Sequence, residues 1–168
     1  IYYKYPRTFH INFSEKLGTD DKILHDLSNF ENKRIIVSIK KDGENSTLYR
    51  DYYHARSIES NYHESRSLIK QLHSSIKNDI PENFRICMEN LFATHSFHYK
   101  NLKSYFQVYS IWNEKNYCLD WEETKEYCQL LGLETVDVIY DGIFNLDILK
   151  KLYKPFINND PCEGWVCR

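Results

Sequence analysis

Lys40 stands two residues before Asp42-Gly43 in the stretch Ile39-Lys40-Lys41-Asp42-Gly43-Glu44-Asn45. A lysine at a strand end beside such a turn has the reach and the nucleophilic amine to attack a bound nucleotide, forming a covalent intermediate that splits one difficult displacement into two easier ones. To attack it must be deprotonated, which burial or cationic neighbours favour by disfavouring the ammonium form. Taken alone, the heptapeptide reads first as a hairpin signal with solvated lysines beside it. Period-two alternation turns Lys41 to the opposite face of the strand, and it is expected to be a solvated lysine.

Further along lie other chemistry-bearing groups. Arg56 follows in His54-Ala55-Arg56-Ser57, and a guanidinium suits bidentate phosphate recognition. Glu89 follows the apolar Ile86-Cys87-Met88, where a carboxylate is costly to bury without a partner. Tyr109 sits in the strand-like Tyr105 to Trp112, a place for a stacking or a core aromatic. Glu163 precedes Gly164-Trp165-Val166, and a hard carboxylate together with phosphate oxygens is what Mg²⁺ requires. His95 and His98 offer only two ligands and read as structural or ligand-facing, not as a metal site.

These groups need elements to hold them. Arg34 to Ile39 reads as a β-branched strand, with Asp42-Gly43 returning the chain through Ser46 to Arg50. Gly43 is expected to permit the tight turn, Asp42 to orient phosphate groups or suit the turn, and Asn45 to donate to a phosphate or stabilise the turn. A strand over His54 to Ile58 follows. Helices are expected after Asp20 or Asp21, around Ile23, Leu24 and Leu27; from Glu64, with Leu68, Ile69, Leu72 and Ile76; from the Asp120 capping box to Gly132; and after Asn145. Phe84 to Cys87, Tyr105 to Trp112 and Glu134 to Tyr140 read as strands. The pattern is α+β with mainly antiparallel sheets.

Composition narrows the class. The 168 residues suit one domain. A formal charge of −2 and pI near 6.4 exclude a generally basic coat, so any nucleic-acid contact must be local. The five cysteines include no C-x-x-C pair and are odd in number, which speaks for reduced, intracellular thiols. No apolar run approaches a membrane span and no secretory leader is visible, so a cytoplasmic location and no membrane partner are expected. The 14 Tyr and 9 Phe are expected to serve mostly in core and strands.

In order along the chain, the Lys40 motif, His54-Ala55-Arg56-Ser57, Met88-Glu89-Asn90-Leu91-Phe92-Ala93-Thr94-His95-Ser96, Tyr105 to Trp112 and Glu163-Gly164-Trp165-Val166 together resemble the ATP-dependent RNA ligases, a branch of the covalent lysine nucleotidyltransferases. The resemblance runs from Tyr5-Pro6-Arg7-Thr8 to the last residue. It implies an ATP-grasp-like nucleotidyltransferase fold, two antiparallel sheets flanking a nucleotide cleft with peripheral helices. It implies Lys40 as the nucleophile, with Asp42, Gly43, Asn45, Arg56, Glu89 and Tyr109 around the nucleotide. In this correspondence Glu89 accepts from the ribose hydroxyls and Tyr109 stacks on adenine. Glu163 assists through a divalent metal, Mg²⁺ or Mn²⁺, ATP is the cofactor, and the partner is RNA with 5′-phosphate and 3′-hydroxyl ends, bound by a monomer.

The sequence departs from relatives at Ile39, where Glu is common, at Met88, where Gly is frequent, and at Ser110, where Asp is frequent. The family's final two-lysine strand is expected downstream of Glu163. Residues 1–168 therefore read as an adenylyltransferase domain incomplete at its C-terminus, expected to adenylate slowly or not at all as it stands. The alternatives are a capping-type guanylyltransferase and a catalytically impaired nucleotide- or RNA-binding module.

Overall fold

Two mainly antiparallel sheets form the body of the protein, each backed by helix on one face. The computed structural model describes residues 1–14, 21–58, 66–92, 99–100, 102–157 and 159–168. The strands are β1 His10–Ile11, β2 Ile23–Leu24, β3 Arg34–Lys40, β4 Glu44–Leu48, β5 Tyr53–His54, β6 Arg85–Asn90, β7 Phe106–Trp112, β8 Glu134–Thr135, β9 Val138–Ile143, β10 Phe156–Ile157, β11 Asp160–Pro161 and β12 Gly164–Cys167; the helices are α1 Ser67–Ile76, α2 Trp121–Leu131 and α3 Leu146–Lys151. The larger sheet has the order β5-β4-β6-β7-β8 and the smaller the order β12-β3-β9. Pairing is antiparallel except for β7 with β8 and the short β1 with β2.

Alternation explains which face each residue takes. In the larger sheet Leu48, Ile86, Met88, Val108 and Ile111 point to one side and bury against Ile69 and Ile76 of α1 and Cys128 of α2. In the smaller sheet Ile35 and Val37 of β3, flanked by Trp165 and Cys167 of β12, bury against Leu149 of α3. Each such side chain removed from water contributes roughly 1.5–3 kcal/mol, so these two clusters set the register of both sheets. The opposite face of the larger sheet carries Asn45, Glu89, Gln107 and Ser110 beside a small cluster of Cys87, Tyr109 and Val136.

The helix expectations around residues 67–76, 121–131 and 146–151 hold, and their ends have the foreseen chemistry. Asp120 accepts from the Glu123 N–H at 2.8 Å, Asn145 accepts from the Ile148 N–H at 3.2 Å, and Gly132 closes α2 with φ 70°. Four readings of local sequence are corrected. Ile23 and Leu24 form a two-residue strand paired in parallel with His10 and Ile11, because two apolar residues in an otherwise polar stretch are worth more against β1 than in a short isolated helix. The strand near His54 stops at His54, leaving Arg56 in an exposed bend. Glu134 to Tyr140 is two strands, not one: β8 joins the larger sheet and β9 the smaller, with Val136 and Asp137 crossing between them. Asp42-Gly43 is likewise no hairpin turn, since β3 and β4 lie in different sheets and residues 41–43 are a crossover.

Candidate active site

Both crossovers pass the same place, and the polar faces of the sheets meet there. Lys40 is the last residue of β3 and pairs with Gly164 of β12, which sets Glu163 beside it. The Lys40 Nζ donates to Glu163 Oε1 at 3.0 Å, both side chains being about half exposed. Residues separated by 123 positions are thus joined by strand register alone.

Lys41 faces away from Lys40 as alternation requires, but it is not solvated. Its side chain is only 10% exposed, and its Nζ donates to Asp137 Oδ2 at 2.5 Å, while Lys103 Nζ approaches Asp137 Oδ1 at 3.0 Å. Asp137 sits in the second crossover, and two ammonium partners hold its carboxyl below the usual range despite burial. The pair ties the two crossovers together beside β3, where the Ile39 N–H also bonds the Asp137 carbonyl at 2.9 Å.

Gly43 serves a purpose other than the expected turn. A Cβ at this position would lie 2.7 Å from the Asn90 carbonyl oxygen, 2.8 Å from Leu91 Cδ2 and 2.9 Å from Glu89 Cγ. Its backbone is not in the left-handed region, so the requirement is close approach to β6 and not a positive φ. The Asp42 N–H donates to the Tyr99 hydroxyl at 2.7 Å, adding a second anchor to the crossover.

The wall opposite Lys40 is a polar ladder across the larger sheet. Asn45 of β4 pairs with Glu89 of β6, which pairs with Gln107 of β7. Cys87 pairs with Ser110 and Met88 with Val108, so Tyr109 is the extra residue of a β-bulge, and this is what turns it to the polar face. Asn45, expected in a turn, lies in β4 and donates through Nδ2 to the Tyr109 hydroxyl. Tyr109 is 7% exposed, with Tyr5 edge-on at 5.2 Å and the Arg168 guanidinium 4.6 Å over its ring.

Glu89 is half-buried in this wall, and burial pushes its carboxyl up to about 7, against the opposing pull of the Gly43 N–H and the charges of Arg168 and Lys40. A carboxyl raised above its unfolded value binds a proton more tightly in the folded state. It therefore contributes stability at acid pH that is lost as pH rises from about 4.5 through about 7. Denaturant titrations between pH 5 and 8 are expected to show this decline for the parent protein and a flatter profile for Glu89→Gln, which keeps the shape without the ionisation. Equal slopes would remove Glu89 as the cause.

Lys40, Asp42, Gly43 and Glu163 therefore gather at one crossover, with Asn45, Glu89 and Tyr109 in the facing wall. Arg56 is exposed beyond β5, and no contact among the described residues joins it to this group. His95 and His98 lie outside the described residues. Sequence reasoning missed Tyr99, Asp137 and Arg168. Arg168 had a readable signal, since it follows Gly164 and Val166 at period two on the face that carries Lys40 and Ser38. Its Nη1 donates to Ser38 Oγ at 3.4 Å while its guanidinium covers Tyr109, so it bridges the sheets. Tyr99 and Asp137 had no such signal, because their partners are distant in the chain.

Among the described residues no group of three His, Cys, Asp or Glu side chains could hold a metal ion, and no helix is long and apolar enough to cross a membrane. All five cysteines are free thiols.

Comparison with known proteins extends the geometry. The model of a family described as RNA ligase matches residues 33–168. No curated protein matches the chain. Among solved structures, Naegleria gruberi RNA ligase with PPi has a TM-score of 0.61 at 18% identity, covering 83% of this chain and 47% of that one. A variant of the same ligase with ATP and Mn has a TM-score of 0.58 at 15% identity, with 83% and 48% covered. An archaeal ATP-dependent RNA ligase has a TM-score of 0.51 at 18% identity, with 67% and 33% covered. At these identities the likeness is one of fold, and the chain spans about half the length of the Naegleria structures.

Proposed function

The chain belongs to the RNA ligase family, and from that premise we propose that residues 1–168 form the adenylyltransferase part of an ATP-dependent RNA ligase with Lys40 as its nucleophile. The observation that carries the reading is the 3.0 Å contact of Lys40 with Glu163 at the crossover, facing the Asn45, Glu89 and Tyr109 wall. In the proposed first step the Lys40 amine attacks the α-phosphate of ATP, the nitrogen–phosphorus bond forms, the bond to the bridging oxygen breaks, and pyrophosphate leaves. AMP then passes to the 5′-phosphate of an RNA end, and a 3′-hydroxyl displaces it as the strands are sealed.

Each side chain has work that fits its setting. Lys40 attacks only as the free amine, so its proton must leave the ion pair with Glu163. Glu89, once ionised, is an acceptor for the ribose hydroxyls. Gly43 lets the crossover lie close against β6, which fixes the amine relative to the wall. For adenine to stack on Tyr109, the Arg168 guanidinium has to quit the face it now covers. Arg56 lies outside this arrangement and would meet phosphate only at the rim.

A divalent cation, Mg²⁺ or Mn²⁺, fits Glu163, a half-exposed hard carboxylate with room for phosphate oxygens to complete the shell. When bound, such a cation neutralises charge developing on the phosphate. The full reaction, the RNA ends, a monomeric state and an intracellular location belong to the same proposal.

The test is incubation with α-labelled ATP or GTP and Mg²⁺ or Mn²⁺, followed by a denaturing gel and mapping of the labelled peptide. Label from ATP in the peptide containing Lys40 is expected, weak on this chain and strong on a longer form. Label only from GTP would favour a capping-type enzyme. No label on this chain or on a longer form would leave a binding module in its place.

A further inference from the structure

Two aromatic rings stand exposed side by side at the open end of β6 and β7. Phe92 is 41% and Tyr105 53% exposed, and their rings meet edge to face with centroids 5.6 Å apart. Neither belongs to a hydrophobic cluster of the core. Their backbones are held firmly nonetheless. The Phe92 N–H donates to Oδ1 of the fully buried Asn90 at 3.0 Å, and the Leu91 N–H donates to the Tyr105 carbonyl at 2.7 Å. Rings of this size left in water, on a rigid backbone, mark a contact surface more than a packing need.

Their position says what they would contact. Leu91, next to Phe92, is one of the residues pressed against Gly43, so the pair lies one residue beyond the contact that seats the Lys40 crossover. The exposed Lys100 lies between Tyr99, whose hydroxyl takes the Asp42 N–H, and Tyr105, while Lys103 in the same stretch is engaged by Asp137 at 3.0 Å. Exposed aromatic faces are a means by which proteins hold single-stranded nucleic acid, the rings taking bases while nearby cations take phosphates. A folded protein partner would also meet aromatic surface, yet membership of the RNA ligase family favours a nucleic-acid strand.

We propose that Phe92 and Tyr105 form a stacking platform for one base of the RNA strand whose end is brought to Lys40, with the exposed Lys100 available to its phosphates. This rests on the ligase reading above. The platform is open to solvent, which suits a base of an entering strand, whereas the nucleotide wall around Tyr109 is closed over.

The test measures binding of a 5′-phosphorylated single-stranded RNA by fluorescence anisotropy to the parent protein, Phe92→Leu, Tyr105→Leu and the double variant, using oligonucleotides with one abasic position moved stepwise from the 5′ end. Leucine retains apolar bulk and removes the π-face, and thermal melting verifies that each variant is folded. The parent is expected to lose about 10-fold in affinity at one abasic position, on the scale of a single base–aromatic stack. The double variant is expected to lose about as much on intact RNA, and nothing further at that position. Unchanged affinity in the variants, equal losses on intact and abasic RNA, or no RNA binding by the parent would each overturn the platform. Self-association of the parent that vanishes in the variants would assign the patch to a second copy and also overturn it. Covalent labelling by ATP is expected to be the same in all variants. Its absence from both the parent and a longer form, with the abasic pattern intact, would sink the ligase reading and leave RNA stacking standing.

Discussion

Lys40→Ala is expected to bring covalent labelling by ATP down to background, and Lys40→Arg to do the same. Alanine removes the amine, and a guanidinium stays protonated and cannot attack phosphorus. The structure makes this sharper than the presence of two adjacent lysines would allow. Lys41 cannot deputise for Lys40, because it points to the other side of β3 and is held by Asp137 at 2.5 Å. Since Lys40 is half exposed and its pairing with Glu163 is a surface contact, the variants are expected to keep stability within about 0.5 kcal/mol of the parent. The decisive measurement is a labelling gel run beside a denaturant titration. Label persisting in Lys40→Ala, with a parent-like unfolding curve, would mean that the nucleophile has been misassigned.

Gly43→Ala is expected to damage both stability and labelling, although only a methyl group is added. Leu91 Cδ2 and Glu89 Cγ belong to side chains that can yield, but the Asn90 oxygen 2.7 Å away is backbone of a central strand. The crossover must therefore move, at a cost of about 1–3 kcal/mol for overpacking of this kind. Lys40 moves with it, and a displacement near 1 Å of a reacting group is on the order of a 10²-fold loss in rate. Gly164→Ala is the control. It faces Lys40 across β12 and β3, yet a Cβ there meets nothing within 4 Å, so little change in stability is expected. Equal behaviour of the two variants would show that the tight approach at Gly43 is not what positions the lysine.

Much of the fold was legible because its signals are local. The apolar spacing of α1, the Asp120 and Asn145 caps, the αL glycine after α2 and the β-branched run of β3 each express the chemistry of neighbouring residues. The crossovers at residues 41–43 and 136–137 were not legible, since strand-like alternation says that a strand exists and nothing about which sheet accepts it. Asp-Gly between two strands carries the same signal whether the strands pair with each other or with distant partners. Arg56 was read as strand because its neighbours are, but β5 ends at His54 where its pairing with β4 runs out.

The sequence by itself determined the residue types and their order, and with them the RNA ligase family, the helices with their caps, and two lysines on opposite faces of one strand. The tertiary structure alone decided which of those residues meet. Register between β3 and β12 brings Glu163 to Lys40, a bulge in β7 turns Tyr109 toward Asn45, and Asp137 withdraws Lys41 from solvent. The division has a physical cause: caps and periodicity act over a few residues through the backbone's own hydrogen bonds, whereas register and crossover depend on buried contacts between segments a hundred residues apart.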